Sequence, residues 1–328
     1  MSRPFTRRRV VTVLAATAAG ALAGGPSRAA TDFAWRGVAM GADAEILFSG
    51  IDEEAARTAV AMVVAEIDRL EGALSLFRDD SEICRLNRAG VLAMPSGDLR
   101  RALGLALEVA AASGGLFDPT VQALWEAHVD WFSARPDDGV PPGHVIAGAR
   151  TMVDWQRIEL SADRVRLGRG QRITLNGLGQ GYVTDRVADL LRGRGLHHVL
   201  VDLGEQRALG PRAAGAPWLV ARAGSAPIAL TRGALATSEG AGCILGAAGA
   251  AHHLFDPRSG RSGQHWRRIT VHHRSAAIAD ALSTALYAAS RDEIEAITAR
   301  FGGAVVWATD ADGRECRWAA PPIPGART

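Results

Sequence analysis

The amino-acid sequence predicts an α+β fold of mixed, largely antiparallel sheets flanked by helices, and three observations carry that expectation. Residues 33–48 alternate as a half-buried strand does, and residues 52–74 then switch to a 3.6-residue apolar period. Strand-like segments cluster at 198–203, 217–222, 228–236 and 268–273, ahead of helical segments at 276–290 and 292–301. Strands and helices that come in runs, instead of alternating one for one, fit an α+β domain better than a doubly wound sheet.

Each element has a local cause. Ala44, Ile46 and Phe48 share one face of the opening strand, and Ala59, Val60, Val63, Val64, Ile67 and Leu70 form one stripe of the helix that follows. Ser96 is a fitting N-cap for a second helix, because its hydroxyl can accept from a first-turn N–H, and Gly114-Gly115 ends that helix. Residues 134–142, rich in proline, aspartate and glycine, read as a surface loop. Short strands alternating with turns are expected from about 151 to 176, then a helix from Gly181 to Leu191 closed by Gly193 and Gly195. A last strand is expected at Ala304–Ala308, and no solenoid period is visible.

With 328 residues, 48% hydrophobic and 22% charged, the chain has the composition of a folded protein. It contains no lysine, which excludes Schiff-base chemistry and a Walker-type phosphate lysine. Five of its 37 arginines lie in the first thirty residues, where no acid occurs; the remainder carries 32 basic against 35 acidic groups, a net of −3. A chain so balanced lacks the basic field that nucleic-acid binding needs, so no nucleic-acid partner is expected.

Residues 1–30 read as an export leader: Thr6-Arg-Arg-Arg, an apolar run from Val10 to Ala23, then Gly-Gly-Pro-Ser-Arg-Ala-Ala. The run falls short of the roughly twenty residues that span a bilayer. Paired arginines before a weakly hydrophobic run suggest the Tat route, although Val10-Val11 stands where Phe-Leu is usual. With no cysteine at the cleavage site, a free periplasmic protein without a stable membrane anchor is expected. Cys84, Cys243 and Cys316 form no Cys-x-x-Cys pair; they allow at most one disulfide and read as small buried apolar groups.

Three segments carry possible chemistry. Leu175-Asn-Gly-Leu-Gly-Gln-Gly-Tyr182 places three glycines between a strand and a helix, where backbone amides can approach an anion, although tight packing alone would explain it as well. Its spacing is not that of a dinucleotide-binding Rossmann turn. Asp280 and Thr284 stand one turn apart on a helix of small apolar residues, with no salt-bridge partner beside them. Both can reach one hard cation, or Asp280 can simply cap or solvate the first turn. His252-His253-Leu-Phe-Asp256-Pro-Arg258-Ser-Gly260 gathers imidazole, carboxylate and guanidinium, suited to proton transfer and phosphate binding. The pairs His197-His198 and His272-His273 lack that setting and read as strand residues.

Further landmarks are Met40-Gly41, Leu74-Ser75-Leu-Phe77 with Ser81-Glu-Ile83 and Asn87, Gly115-Leu116-Phe117-Asp118-Pro-Thr120, Val201-Asp-Leu-Gly204 and Ala236-Thr-Ser238. In this order, together with the three segments above, they resemble the ApbE family of FAD:protein FMN transferases, so that residues 31–328 read as one such domain. The resemblance implies a cleft holding FAD as substrate, with its pyrophosphate against Mg²⁺. The family's metal ligands correspond to Asp280, Thr284 and the Gly177 carbonyl; its flavin-nucleotide positions correspond to Met40, Ser75, Leu116, Phe117, Asp118, Thr174, Gln180 and Leu254. His253 is the implied general base, with Asp280 as the alternative proton acceptor. The implied reaction moves FMN to a Thr or Ser hydroxyl of an acceptor flavoprotein and releases AMP; hydrolysis of FAD to FMN and AMP, or storage of FAD without chemistry, are the rival readings. Gln180 replaces a common lysine, Glu205 a common glycine, and Ala42 a common threonine. Gln180, Glu205 and the leader are similar to the NosX branch, which serves nitrous oxide reductase maturation through a membrane-bound acceptor.

Overall fold

The computed structural model describes residues 12–14, 31–135, 137–246, 249 and 251–322. The expected leader therefore lies outside the described residues, apart from Thr12–Leu14. Among the described residues, nine strands form one sheet in which every pairing is antiparallel. Their order across the sheet is their order along the chain: β1 (Thr12–Leu14), β2 (Thr31–Ala39), β3 (Ala42–Ile51), β4 (Val199–Asp202), β5 (Gln206–Ala208), β6 (Gly233–Glu239), β7 (Arg268–His273), β8 (Val305–Thr309) and β9 (Glu315–Ala319). The expected α+β class holds.

The β2–β3 hairpin turns at Met40-Gly41, where φ is +50° and +83°. Two successive positive φ values match the right-handed twist of the strands they join. Ala44, Ile46 and Phe48 are buried as their alternation predicts. Helix α1 (Glu53–Leu74) starts where the Asp52 carboxylate accepts from Ala55 N at 2.9 Å, and it buries Ala59, Val60, Val63, Ile67 and Leu70. Helix α2 (Glu82–Ala89) is followed by α3 (Gly97–Ala112), capped by Ser96 as expected; Gly114 and Gly115, at φ +63° and +84°, turn the chain away. Next come α4 (Gln122–Ala134), α5 (Gly143–Arg150) and α6 (Gly179–Gly193), and the chain re-enters the sheet at β4. Helices α7 (Ala276–Leu286) and α8 (Arg291–Thr298) separate β7 from β8.

Several expectations are corrected. Helices α2, α4 and α5 have no counterpart in the sequence reading; at eight residues, α2 and α5 are too short for an apolar period to stand out. The run of strands expected over 151–176 reduces to Glu159–Leu160 and Arg164–Arg166, which form a small sheet with Val91–Ala93. The strand expected over 228–236 is two: Ser225–Leu230 folds back on Trp218–Arg222, and Gly233, at φ +84°, redirects the chain into β6. Strand β9 was hidden by exposure at alternate positions, as befits an edge strand.

One core lies between the sheet and helices α1, α3, α6 and α7. Helix α7 is buried at every position except Thr284, because its alanines let α6, β6 and β7 close around it. A smaller core of Leu200, Ala208, Trp218, Val220, Leu230 and Leu235 sits under the hairpin 218–230. The three cysteines are free thiols, half-buried. Among the described residues no helix is long and apolar enough to cross a membrane.

Candidate active site

Helix α7 is held in register by an acid on its neighbour. Asp185 of α6 accepts from Ala276 N at 2.8 Å, Ala277 N at 3.1 Å and Ser275 Oγ at 2.6 Å, and pairs with Arg207. A carboxylate on the first N–H groups of a helix complements its positive end. Ser275 is the N-cap, accepting from Ile278 N, so Asp280 does not cap the helix. Nor is Asp280 solvated: it is 4% exposed, and its Oδ2 accepts from Gly181 N at 3.0 Å. The structural reading of Asp280 as a solvated first-turn acid is thereby excluded.

One turn on, the Thr284 hydroxyl faces the Gly177 carbonyl at 3.5 Å. The glycine turn approaches α7 closely at two of its glycines. A Cβ at Gly177 would stand 2.9 Å from both Thr284 Oγ1 and Cγ2, and one at Gly181 would stand 2.3 Å from the Ala276 carbonyl oxygen. The structure thus sets Asp280 and Thr284 against the same glycine turn, at Gly181 and Gly177 respectively.

Electrostatics mark the same place. Burial pushes the Asp280 carboxyl up to about 7, with the negative charge of Asp185 adding and the Gly181 N–H opposing. Glu205 is pushed well above the usual carboxylate range by burial, then by the charges of Asp280 and Asp202, against one hydrogen bond from Thr237 N. No ion pair among the described residues engages either acid. Two buried carboxyls without a cation are neutralised by protons or by a bound positive ion. Among the described residues no group of three or more His, Cys, Asp or Glu is placed to hold a metal. The donors here are one carboxylate, one hydroxyl and one carbonyl, all hard oxygens; that set fits Mg²⁺, which retains waters and takes phosphate oxygens as its other ligands.

Of the residues expected at the flavin, Met40 and Phe117 approach the glycine turn and Gln180 lies within it. Met40 Cε lies 3.4 Å from where a Cβ of Gly179 would be, and Met40 N donates to Glu71 at 2.9 Å. The turn continues to exposed Phe77, whose ring approaches Gly41 and whose N–H donates to Ser75 Oγ at 3.1 Å. Leu116 and Phe117 are buried, with Phe117 reaching within 3.3 Å of the Gly177 Cβ position. Asp118 accepts from Thr120 N at 2.8 Å, Thr120 Oγ1 at 2.6 Å and Trp155 N at 3.1 Å. Burial raises its pKa, and these three bonds oppose the rise. Asp118 therefore shapes its loop. Thr174 N donates to the Pro119 carbonyl at 2.8 Å, which ties that loop to the glycine turn. Gln180 lies over Gly204, where a Cβ would stand 2.6 Å from its Cδ. Leu254 is buried between His252 and Gly263.

His253 faces the Cys243 carbonyl through Nδ1 at 3.3 Å, which marks Nδ1 as the protonated nitrogen and leaves Nε2 able to accept a proton. Burial lowers its pKa, so it is neutral at pH 7. It makes no hydrogen bond with Asp280 or Thr284. Its neighbour His252 packs against Tyr287, just past α7, at 5.3 Å between rings. Arg258 is held by Asp256 at 3.0 Å, Glu293 at 2.6 Å and the Ala288 carbonyl, and so pins its hairpin to α8. His272 and His273 lie in β7 as expected; His197 and His198 immediately precede β4.

The sequence reading gave no role to Asp185. A signal was present, since Asp185 sits in a helical segment with no basic residue three or four positions away, and an acid so placed needs another partner.

Residues 40–307 match the family model described as the ApbE family. The chain belongs to the ApbE family. The FAD:protein FMN transferase of Klebsiella pneumoniae is 28% identical over 206 residues, covering 60% of this chain and 58% of its own length. That of Salmonella typhimurium is 26% identical over 291 residues, covering 82% of each. The chain thus spans little more than half of the Klebsiella relative and most of the Salmonella one. Among solved structures, the flavinyl transferase ApbE of Pseudomonas stutzeri, in its apo form, is 25% identical with a TM-score of 0.74, covering 89% of this chain and 96% of that one. The fold is that of ApbE flavin transferases.

Proposed function

We propose that this chain transfers FMN from FAD to a Thr or Ser hydroxyl of an acceptor flavoprotein and releases AMP. The carrying observation is the oxygen set of buried Asp280, half-buried Thr284 and the Gly177 carbonyl, gathered where the glycine turn meets α7. These three residues would hold Mg²⁺. Bound there, the ion would neutralise charge on the FAD pyrophosphate.

The protein's own part is positioning and proton transfer. The N-terminal end of α6, which follows the glycine turn, faces the pyrophosphate, where the helix end favours negative charge. Met40, Ser75, Leu116, Phe117, Gln180 and Leu254 bind and orient the flavin nucleotide, while Asp118 and Thr174 keep their loops in place. The acceptor oxygen forms a bond to the FMN phosphorus as the bond to the AMP phosphate breaks. The acceptor's proton passes to His253 Nε2, which is neutral at pH 7, or to the Asp280 carboxylate.

Residues 1–30 direct export by the Tat route, and the acceptor is a periplasmic or membrane-bound flavoprotein, in the NosX-like case one serving nitrous oxide reductase maturation. The twin arginines, Gln180 and Glu205 support this finer reading. The test is incubation of the protein with FAD, Mg²⁺ and a periplasmic flavin domain, followed by mass measurement of that domain and assay of AMP. Gain of one FMN with equimolar AMP is expected. AMP and free FMN with an unlabelled acceptor would replace transfer by hydrolysis; bound, uncleaved FAD would replace it by storage.

A further inference from the structure

Apart from the site above, the structure holds an open cleft of about 510 Å³ lined by Asn87–Val91 on one side and Leu167–Arg172 on the other. Residues 157–172 carry five arginines against two acids, in a chain whose charge past residue 30 is net negative. Arg88, Arg169 and Arg172 line the cleft, and all three are exposed. Arg172 pairs with Glu126 at 2.9 Å and Arg88 donates to the Asp79 carbonyl, but among the described residues no hydrogen bond or ion pair engages the Arg169 guanidinium.

The walls are preformed. Buried Gln171 accepts from Gly168 N at 2.8 Å and donates to the carbonyls of Asp154 and Met152, and Leu167 N donates to Gly90 O at 2.8 Å. Asn87 exchanges two 2.8 Å bonds with the backbone of Ile173. A rigid concave site loses little entropy when a ligand enters. The same stretch leads directly to the catalytic centre: Arg172 is five residues from Gly177, at most about 18 Å of extended chain.

We infer that this cleft docks an acidic segment of the protein acceptor. Guanidinium groups bind carboxylates in a planar, two-pronged manner, so a site with arginine as its only cation favours carboxylates held at fixed spacing. A concave cleft accepts an extended peptide, whereas a flat bilayer would meet only the rim. The assignment rests on the transfer reading for the identity of the partner; the acidic chemistry of the ligand stands on the cleft alone.

The test uses the whole protein and its Arg88→Glu/Arg169→Glu variant, with fluorescein-labelled hexaglutamate as probe and flavin fluorescence to measure FAD affinity. The wild type should bind the peptide at low salt and lose it as ionic strength rises, and the variant should bind at least about tenfold more weakly with FAD affinity unchanged. With a flavin domain as acceptor, its KM should rise by a similar factor while kcat and the KM for FAD stay the same. Equal peptide binding by the two proteins would overturn the assignment. So would arginine-dependent binding of phosphatidylglycerol vesicles, or of a thymidine oligonucleotide, without binding of hexaglutamate. Peptide binding with no acceptor ever labelled would uphold the cleft and count against the transfer reading instead.

Discussion

Asp280→Asn in the metal-free protein should raise stability above neutral pH, although it removes a residue of the proposed active centre. The folded protein holds the Asp280 carboxyl at about 7 against an ordinary 3.8, with burial as the main cause. Below about pH 4 the group is protonated in both states and the two proteins should differ only by a constant. Between those values the unfolded chain releases a proton that the folded chain retains, so wild-type stability falls as pH rises. Above 7 the loss levels off. A rise of about three units at 1.36 kcal/mol each gives about 4 kcal/mol. The asparagine amide can lack a partner at a cost of about 1–3 kcal/mol, but that term does not vary with pH. The shape of the curve is therefore the test. Urea unfolding in EDTA at half-unit steps from pH 4 to 8 would measure it. A pH-independent difference between the two proteins would refute the electrostatic account of this site. Adding Mg²⁺ at about a hundred times its Kd should then restore about 2.7 kcal/mol to the wild type and nothing to the variant.

The other expectations are narrower. Glu205→Gln should likewise stabilise the metal-free protein above neutral pH, because burial and the Asp280 charge raise the Glu205 carboxyl above its unfolded value, and the same urea series reads the gain. Gly177→Ala should cost about 1–3 kcal/mol, because its methyl would press on Thr284, and calorimetry with Mn²⁺ as probe should show weakened ion binding. Asp185→Ala leaves two first-turn N–H groups of α7 without a partner and Arg207 with only Asp189 at 4.0 Å, so about 3–5 kcal/mol should be lost in denaturant unfolding. If His253 accepts the proton, the acid limb of the transfer-rate profile should fall below pH 6.5, in the direction its burial dictates, and vanish in His253→Ala.

Much of the scaffold was legible because it obeys simple periods. The α1 stripe, the Ser96 cap and the alternation of Ala44, Ile46 and Phe48 are local patterns, and each recurs in the structure nearly residue for residue. The pairing of Asp280 with Thr284 was legible for a similar reason: the two stand one turn apart on an alanine-rich helix. What the sequence concealed depends on contacts between distant segments. Arg258 looks available for phosphate until Glu293, thirty-five residues away, is seen to hold it. Asp185 becomes an anchor only when α7 is placed beside α6, and the arginine cleft exists only because Asn87 bonds to Ile173, eighty-six residues on. Chain-wide charge averaged that local surplus away.

The proposed ligands also bear on how the molecule assembles. Gly181 meets Asp280 across ninety-nine residues, and Gly177 meets Thr284 across one hundred and seven. Neither half of the chain carries the ion's coordination alone. Occupancy of that position would therefore report completion of the tertiary structure, and a domain fragment lacking α7 should neither retain divalent metal nor gain thermal resistance from it.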